Sequence, residues 1–378
     1  MSLPITPRDA ADLAFAAAAG ETRLRADDAL GLLEQGRLLD LGAAASAMRH
    51  RIVPGDEVTF IVDRNVNYTN VCVSGCRFCA FYRSNGAPDA YVLTREQLAE
   101  KVAETIALDG TAILLQGGMH PDLGIEWYEG MLRDIKADHP GIHVHGFGPP
   151  EIVHIAKISG ISTREVLERL RDAGLDSLPG GGAEILVDRV RSHVSPKKAT
   201  SDQWLDVMRE AHVLDISTTA TMMFGSVETL AERVEHLQRI RDVQDEAVAG
   251  GHVGFRAFIP WSFQPGSTEL ALDEGTAVGE PMSAASGWDY LRTLAVSRLF
   301  LDSVRNVQAS WVTQGGKVGQ VALTFGSNDM GSTMIEENVV AAAGTRFMLA
   351  RDELVRLIRD AGYTPVQRDT LYREVRRF

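Results

Sequence analysis

Cysteine is missing from this 378-residue chain except in one eight-residue stretch, where Cys72, Cys76 and Cys79 stand as Cys-x3-Cys-x2-Cys. An odd number in one short loop, without secretory context, argues against a disulfide framework. Clustered free thiols fit a reducing compartment, so the expected location is the cytoplasm. Long apolar runs are also missing. No stretch reaches the roughly 18 residues that a membrane-spanning helix needs. The stretch AADLAFAAAAG (10–20) is short, follows the acidic Asp9 and continues into a polar helix, so it does not read as a signal peptide. Basic residues are outnumbered, 38 Lys and Arg against 51 Asp and Glu, for a net charge of −13. The pI near 5.3 argues against nucleic acid or an anionic membrane as partner. Internal repeats, low-complexity tracts and clear linkers are absent too.

What is present is ordinary globular composition, with 45% hydrophobic and 24% charged residues, enough for a large core. Residues 7–50 read as helical, broken near Gly20 and Gly36. β-Branched residues then signal a strand from Val58 running into a loop by Val71. Further strands are expected over Thr111–Gly118, Ile142–Phe147, Thr218–Gly225, Val253–Pro260 and Val307–Val312, with weak ones near Asp176 and Asp329. Helices are expected over Glu126–Asp138, Ser162–Ala173 (opened by a Ser162-x-x-Glu165 capping box), Ser201–Leu214, Val227–Ala247, Ala284–Ser303 and Asp352–Ala361. Alternating β and α units with about eight strands predict an α/β fold, a (β/α)8 TIM-type barrel, rather than an open doubly wound sheet. The expected organisation is an N-terminal helical extension (1–50), the barrel (51–345) and a C-terminal helix and tail (346–378). The basic tail residues Arg368, Arg373, Arg376 and Arg377 read as a solvated surface.

Three thiolates on one loop can hold three irons of a cubane iron–sulfur cluster and leave the fourth open for chemistry, whereas a purely electron-carrying cluster usually has four cysteine ligands. A zinc site would want a further Cys or His, and the closest downstream histidine is His120. In a barrel, a loop just after the first strong strand lies at the C-terminal face, where active sites form.

The segment NYTNVCVSGCRFCAFYR (67–83) resembles the radical S-adenosylmethionine enzymes, whose signature is Cys-x3-Cys-x-aromatic-Cys, with Phe78 in the aromatic slot. Together with LLQGGMHPDLG (114–124), LPGGGAEIL (178–186), FIPWSFQPG (258–266), QASWVTQG (308–315) and STMIEENVV (332–340), it is similar to the futalosine-pathway cyclases of menaquinone biosynthesis. The sister aminofutalosine synthases and the deazaflavin-forming FO synthases share parts of the pattern. The resemblance implies a [4Fe-4S] cluster on Cys72, Cys76 and Cys79 and S-adenosyl-L-methionine on its open iron. It further implies dehypoxanthine futalosine as substrate and an electron donor such as flavodoxin or ferredoxin. A 5′-deoxyadenosyl radical would take hydrogen from the ribose C4′, the carbon radical would add to the benzoate ring, and an electron and a proton would leave. From a different class, the alternative is a non-catalytic iron–sulfur carrier, which should show no open iron, or a zinc-stabilised scaffold.

The resemblance implies cofactor contacts from Phe78, which could otherwise simply pack the loop, and from Gln116, Gly117 and Gly118, where a missing Cβ lets backbone approach a ligand and the alternative is an ordinary β–α turn. Tyr82 is either a cofactor contact or a loop anchor. Glu184, after three glycines, is either a ligand for a hydroxyl or amino group or an acid at a helix start. A general base is needed, and His120, His145, Glu184 and Asp329 are candidates at expected strand ends. Arg83 and Arg256 are candidates for the substrate carboxylate. Trp261, Phe263 and Trp311 either line an aromatic pocket or fill the core. Glu336 and Glu337 read as hydroxyl ligands or a solvated face.

Overall fold

Side chains that alternate in and out along short parallel strands shape this molecule. A computed structural model describes residues 6–273, 284–344 and 347–378. The boundary expected between 345 and 346 lies outside the described residues. The strands are β1 (Glu57–Ile61), β2 (Asp63–Val66), β3 (Ala112–Leu115), β4 (His143–Gly146), β5 (Ser177–Leu178), β6 (Ser217–Phe224), β7 (Phe255–Ser262), β8 (Asn306–Val307), β9 (Asp329–Ser332), β10 (Thr364–Arg368) and β11 (Glu374–Arg377). β2 to β8 form one parallel sheet in chain order. β9 closes the ring. The Ala309 N–H donates to the Asp329 carbonyl at 2.8 Å, and the Thr59 N–H to the Asn328 carbonyl at 3.1 Å. The barrel expected from the β–α alternation is therefore the fold, with the weak strands near Asp176 and Asp329 realised as β5 and β9.

The strand expected from Val58 breaks at Val62 into β1 and β2, because the two halves have different neighbours. β10 lies parallel to β1, from Glu57 opposite Thr364 to Ile61 opposite Arg368. Above Val62 that side passes to β3, which starts opposite Asp63. The C-terminal hairpin is thus built into the base of the barrel. This corrects the reading of the tail as solvated surface: Arg368 is 5% exposed and pairs with the fully buried Asp329. Arg373 and Arg377 do lie outside, paired to Asp369 and to Glu57 and Glu374.

The helices start where side chains can satisfy their free N–H groups. Thr94 with Gln97, Thr200 with Gln203 and Thr229 with Glu232 form reciprocal caps opening Arg95–Ala107, Ser201–Val213 and Leu230–Ala249. Each is worth about 1 kcal/mol. Ser162 accepts the Glu165 N–H and opens Thr163–Ala173. The helical N-terminal stretch is three helices, Pro7–Ala19, Ala26–Gln35 and Leu38–Ile52, ending at Gly20 and Gly36 as expected for the first two. The third packs against Gly287–Phe300, shorter than the expected Ala284–Ser303, and against Leu323–Phe325. There the missing Cβ of Gly42 leaves room for the Phe325 ring. The strand expected over Val307–Val312 stops at Val307, and Trp311 opens a helix to Ala322. Among the described residues no helix is long and apolar enough to cross a membrane.

Candidate active site

One cavity of about 420 Å³ runs inside the barrel from the cysteine loop to the C-terminal hairpin. Alternate residues line it: Ile61 from β1, Asp63 and Asn65 from β2, Asn67 just beyond β2, and Thr219 and Thr221 from β6. That period of two is how a barrel strand gives one row to the lumen and the other to the helices.

The loop from Asn67 to Tyr91 is held by its own polar residues. The Asn67 amide donates to the Gln116 carbonyl at 3.2 Å, and the Thr69 hydroxyl to the Tyr91 carbonyl at 2.6 Å. Asn70 both accepts the Tyr91 N–H and donates to the Asp89 carbonyl, each at 2.9 Å. Arg83 donates to the carbonyls of Ala80, Phe81 and Tyr82 and pairs with Asp89. It therefore braces the turn that carries Cys79 and is not among the cavity-lining residues. The three cysteines are unpaired and all line the cavity. The Met119 N–H donates to Cys72 Sγ at 3.3 Å. The Ser74 hydroxyl sits between Cys72 Sγ (3.0 Å) and Cys76 Sγ (3.2 Å). Burial pushes the Cys76 thiol up to about 11 and raises Cys79 as well. Metal-free, these groups hold their protons, so loading a cation here releases protons.

Phe78, Tyr82, Gln116, Gly117 and Gly118 also line the cavity. The glycines answer a packing demand of the protein. A Cβ on Gly117 would lie 2.5 Å from the Tyr68 ring, and one on Gly118 would lie 2.1 Å from the Val71 carbonyl oxygen. Glu184 lines the cavity, 3.0 Å from Lys198 Nζ and 3.5 Å from Arg191 Nη1. Lys198 Nζ also lies 5.1 Å from the centre of the Phe78 ring. Trp261 and Trp311 line the cavity and Phe263 is buried outside it. Glu337 lines the cavity and accepts from Asn65 at 3.0 Å; Glu336 pairs with Lys101 and Arg64.

The four base candidates separate. His145 lines the cavity, with Nδ1 2.7 Å from the Ser177 hydroxyl and its pKa pushed down to about 3 by burial. His120 is outside the lining, where Nδ1 accepts the Asp122 N–H and its carbonyl meets His154. Asp329 lies beneath the cavity, gripped by Arg368 at 2.5 and 3.0 Å. Arg256 is likewise outside the lining, bonded to the Ser217 hydroxyl at 2.5 Å.

Sequence reasoning missed Glu151, Lys198, Arg368, Thr370 and Tyr372, all of which line the cavity. Glu151 accepts from the Tyr68 hydroxyl (2.7 Å), the Gly117 N–H (3.1 Å) and the Gly148 N–H (2.7 Å). Burial pushes its pKa up to about 7. Its available signal was Gly-Pro-Pro-Glu at 148–151, prolines at the start of a helix with an acid in the first turn.

Comparison with known proteins agrees with this geometry. The Radical SAM superfamily pattern matches residues 66–240, and the CofH/MqnC C-terminal region matches 252–377. A cyclic dehypoxanthine futalosine synthase from Halalkalibacterium halodurans is 46% identical, over 94% of this chain and 92% of the relative. The chain belongs to the radical SAM superfamily. It is an enzyme of that superfamily, and a second cyclic dehypoxanthine futalosine synthase, from Streptomyces coelicolor, is 43% identical over 94% of this chain and 86% of that one. A 5-amino-6-(D-ribitylamino)uracil–L-tyrosine 4-hydroxyphenyl transferase from Methanopyrus kandleri is 42% identical over 88% of both chains. The fold is shared with HydG, a maturase of the [FeFe]-hydrogenase (TM-score 0.72, 16% identity, 97% of this chain and 77% of that one). It is shared also with methylornithine synthase (TM-score 0.68, 18% identity, 93% and 97%).

The family implies a [4Fe-4S] cluster and S-adenosylmethionine. Three unpaired thiols on one cavity wall, one with an N–H donor to its sulfur, fit a cluster held by three thiolates. Among the described residues no group of three His, Cys, Asp or Glu side chains is placed to share one ion. A cubane sets each thiolate on a different iron, so its ligands need not converge on a point.

Proposed function

We propose that this enzyme cyclises dehypoxanthine futalosine in menaquinone biosynthesis, joining the ribose C4′ to the benzoate ring with loss of two hydrogens. The observation that carries this is the 46% and 43% identity to two cyclic dehypoxanthine futalosine synthases, each over 94% of the chain. When bound, the cluster and S-adenosylmethionine supply the deoxyadenosyl radical. Cys72, Cys76 and Cys79 hold the cluster. Phe78 and Tyr82 would hold the adenosyl part, and Gln116, Gly117 and Gly118 the methionyl part, from the cavity wall that they line. Lys198 and Glu184, an ion pair at the same wall, offer a cation for a carboxylate and an acceptor for an ammonium or hydroxyl. Trp261 and Trp311 flank the flat substrate.

His145 is the base in this reading. Glu184 is tied to two cations and Asp329 to Arg368, so both carboxylates already have partners within the protein. The low pKa keeps the imidazole neutral at neutral pH, with Nδ1 engaged by Ser177. A weak base suffices, because the proton that leaves as a dearomatised ring regains aromaticity is strongly acidic. A second reading, transfer of an aromatic fragment to a second molecule, has support from the 42% identity to the methanogen transferase. Product mass separates the two. Reduced, reconstituted protein given dehypoxanthine futalosine and S-adenosylmethionine should yield a product lighter than the substrate by two hydrogens, and a joined product would favour the second reading. With His145→Ala, 5′-deoxyadenosine should still form while the cyclised product falls by about a hundredfold or more. Full product from that variant would move the base elsewhere.

A further inference from the structure

The turn between β10 and β11 crosses the base of the barrel and supplies Arg368, Thr370 and Tyr372 to the cavity. Two features of this turn lack an internal explanation. Tyr372 sits at φ +63°, in the left-handed region where glycine is the default and a bulky side chain costs energy. The chain keeps a tyrosine there and fixes the strained turn with Asp369, which accepts the N–H groups of Leu371 and Arg373 and the Arg373 guanidinium. The Tyr372 and Thr370 hydroxyls are also buried without a hydrogen-bond partner. Buried hydroxyls are almost always paired, so two orphans beside one cavity call for a partner from whatever fills it.

The surroundings say what that partner is. The Arg368 guanidinium lies over the Tyr372 ring, 3.8 Å from its centre. The positive charges of Arg256 and Arg298 also act on the Tyr372 phenol, opposed by Asp329. Asp329 is already committed to Arg368, and the nearby Asp63 carboxyl accepts the Ser332 hydroxyl. Burial holds the phenol protonated, so it is a donor. Two hydroxyl donors with arginines behind them suit a carboxylate oxygen.

Resting on the substrate proposed above, we propose that Tyr372 and Thr370 form the subsite for its aryl carboxylate, at the end of the barrel away from the cysteines. The C-terminal hairpin is then a specificity element, and relatives that handle a phenol instead would differ in this turn's chemistry.

The test is equilibrium binding, anaerobic, to the reconstituted protein. The ligands are dehypoxanthine futalosine and an analogue with a plain phenyl ring in place of the carboxyphenyl. Tyr372→Phe with Thr370→Val keeps shape and removes both donors. The dissociation constant for the substrate should rise about tenfold or more, while the phenyl analogue binds wild type and variant alike. An unchanged constant for the substrate, or an equal loss for both ligands, would overturn the subsite. Because binding is read without turnover, wild-type cyclisation together with an unchanged constant defeats the subsite and leaves the cyclase reading intact. A carboxylate-selective loss without cyclisation does the reverse.

Discussion

Cys76→Ala should yield a folded protein that binds little iron and forms no 5′-deoxyadenosine from S-adenosylmethionine. With one of three thiols gone, only Cys72 and Cys79 remain on the loop to hold the cluster. Disturbing outer partners of a metal site already costs about 10- to 100-fold, so loss of a direct ligand should exceed that. Folding should survive, because the loop is anchored by Asn67, Thr69, Asn70 and Arg83 rather than by the thiols. Iron content, circular dichroism and product chromatography on one preparation check all parts of this expectation. A variant that retains full iron and activity would place the cluster elsewhere.

Asp329→Ala should destabilise the protein by about 3–5 kcal/mol, read from urea denaturation, although the residue lies outside the cavity. Asp329 accepts from Arg368 twice, from the Thr59 hydroxyl at 2.5 Å and from the Gly331 N–H at 2.8 Å. Removing it strands a buried guanidinium. The carboxylate left nearby, Asp63, has its pKa pushed up to about 6 by burial. Its contribution to stability is therefore present below the ordinary carboxylate pKa and lost as pH rises through 6. In the single variant Asp329 no longer raises Asp63 and the unpaired Arg368 lowers it, so the variant should be most damaged where Asp63 is neutral and recover part of the loss as Asp63 ionises at a pH below 6. Asp329→Leu with Arg368→Met, which removes both charges, should recover most of the stability. If the single variant costs no more than a surface substitution, the ion pair is not what anchors the hairpin to the barrel.

Much of this molecule was legible in its residues, for identifiable reasons. β6 and β7 are eight residues each and rich in β-branched, aromatic and large apolar side chains, which made them readable locally. β5 has only two residues and holds its place by pairing Ser177 with His145 and Ser217, which local pattern cannot display. The turn to helix at Trp311 was hidden because QASWV is β-branched and aromatic enough to pass for strand, while the helix that follows carries Gly315 in a non-helical conformation. Arg368 looked like one basic tail residue among four, since its partner Asp329 is 39 positions away and only the fold joins them. The cysteines were readable because their ligand logic is local. Glu151 and Lys198 reach the cavity from segments without such logic. His120, Arg83 and Arg256 have the right chemistry, but turn and strand geometry spends it on Asp122, on the loop carbonyls and on Ser217.

The most direct measurement uses dehypoxanthine futalosine deuterated at the ribose C4′. Reduced, reconstituted enzyme is incubated with unlabelled S-adenosylmethionine, and the 5′-deoxyadenosine formed is weighed by mass spectrometry. Cyclisation through hydrogen abstraction at C4′ predicts one deuterium in 5′-deoxyadenosine, formed together with the cyclised product. Unlabelled 5′-deoxyadenosine with the deuterium retained in the substrate would contradict it.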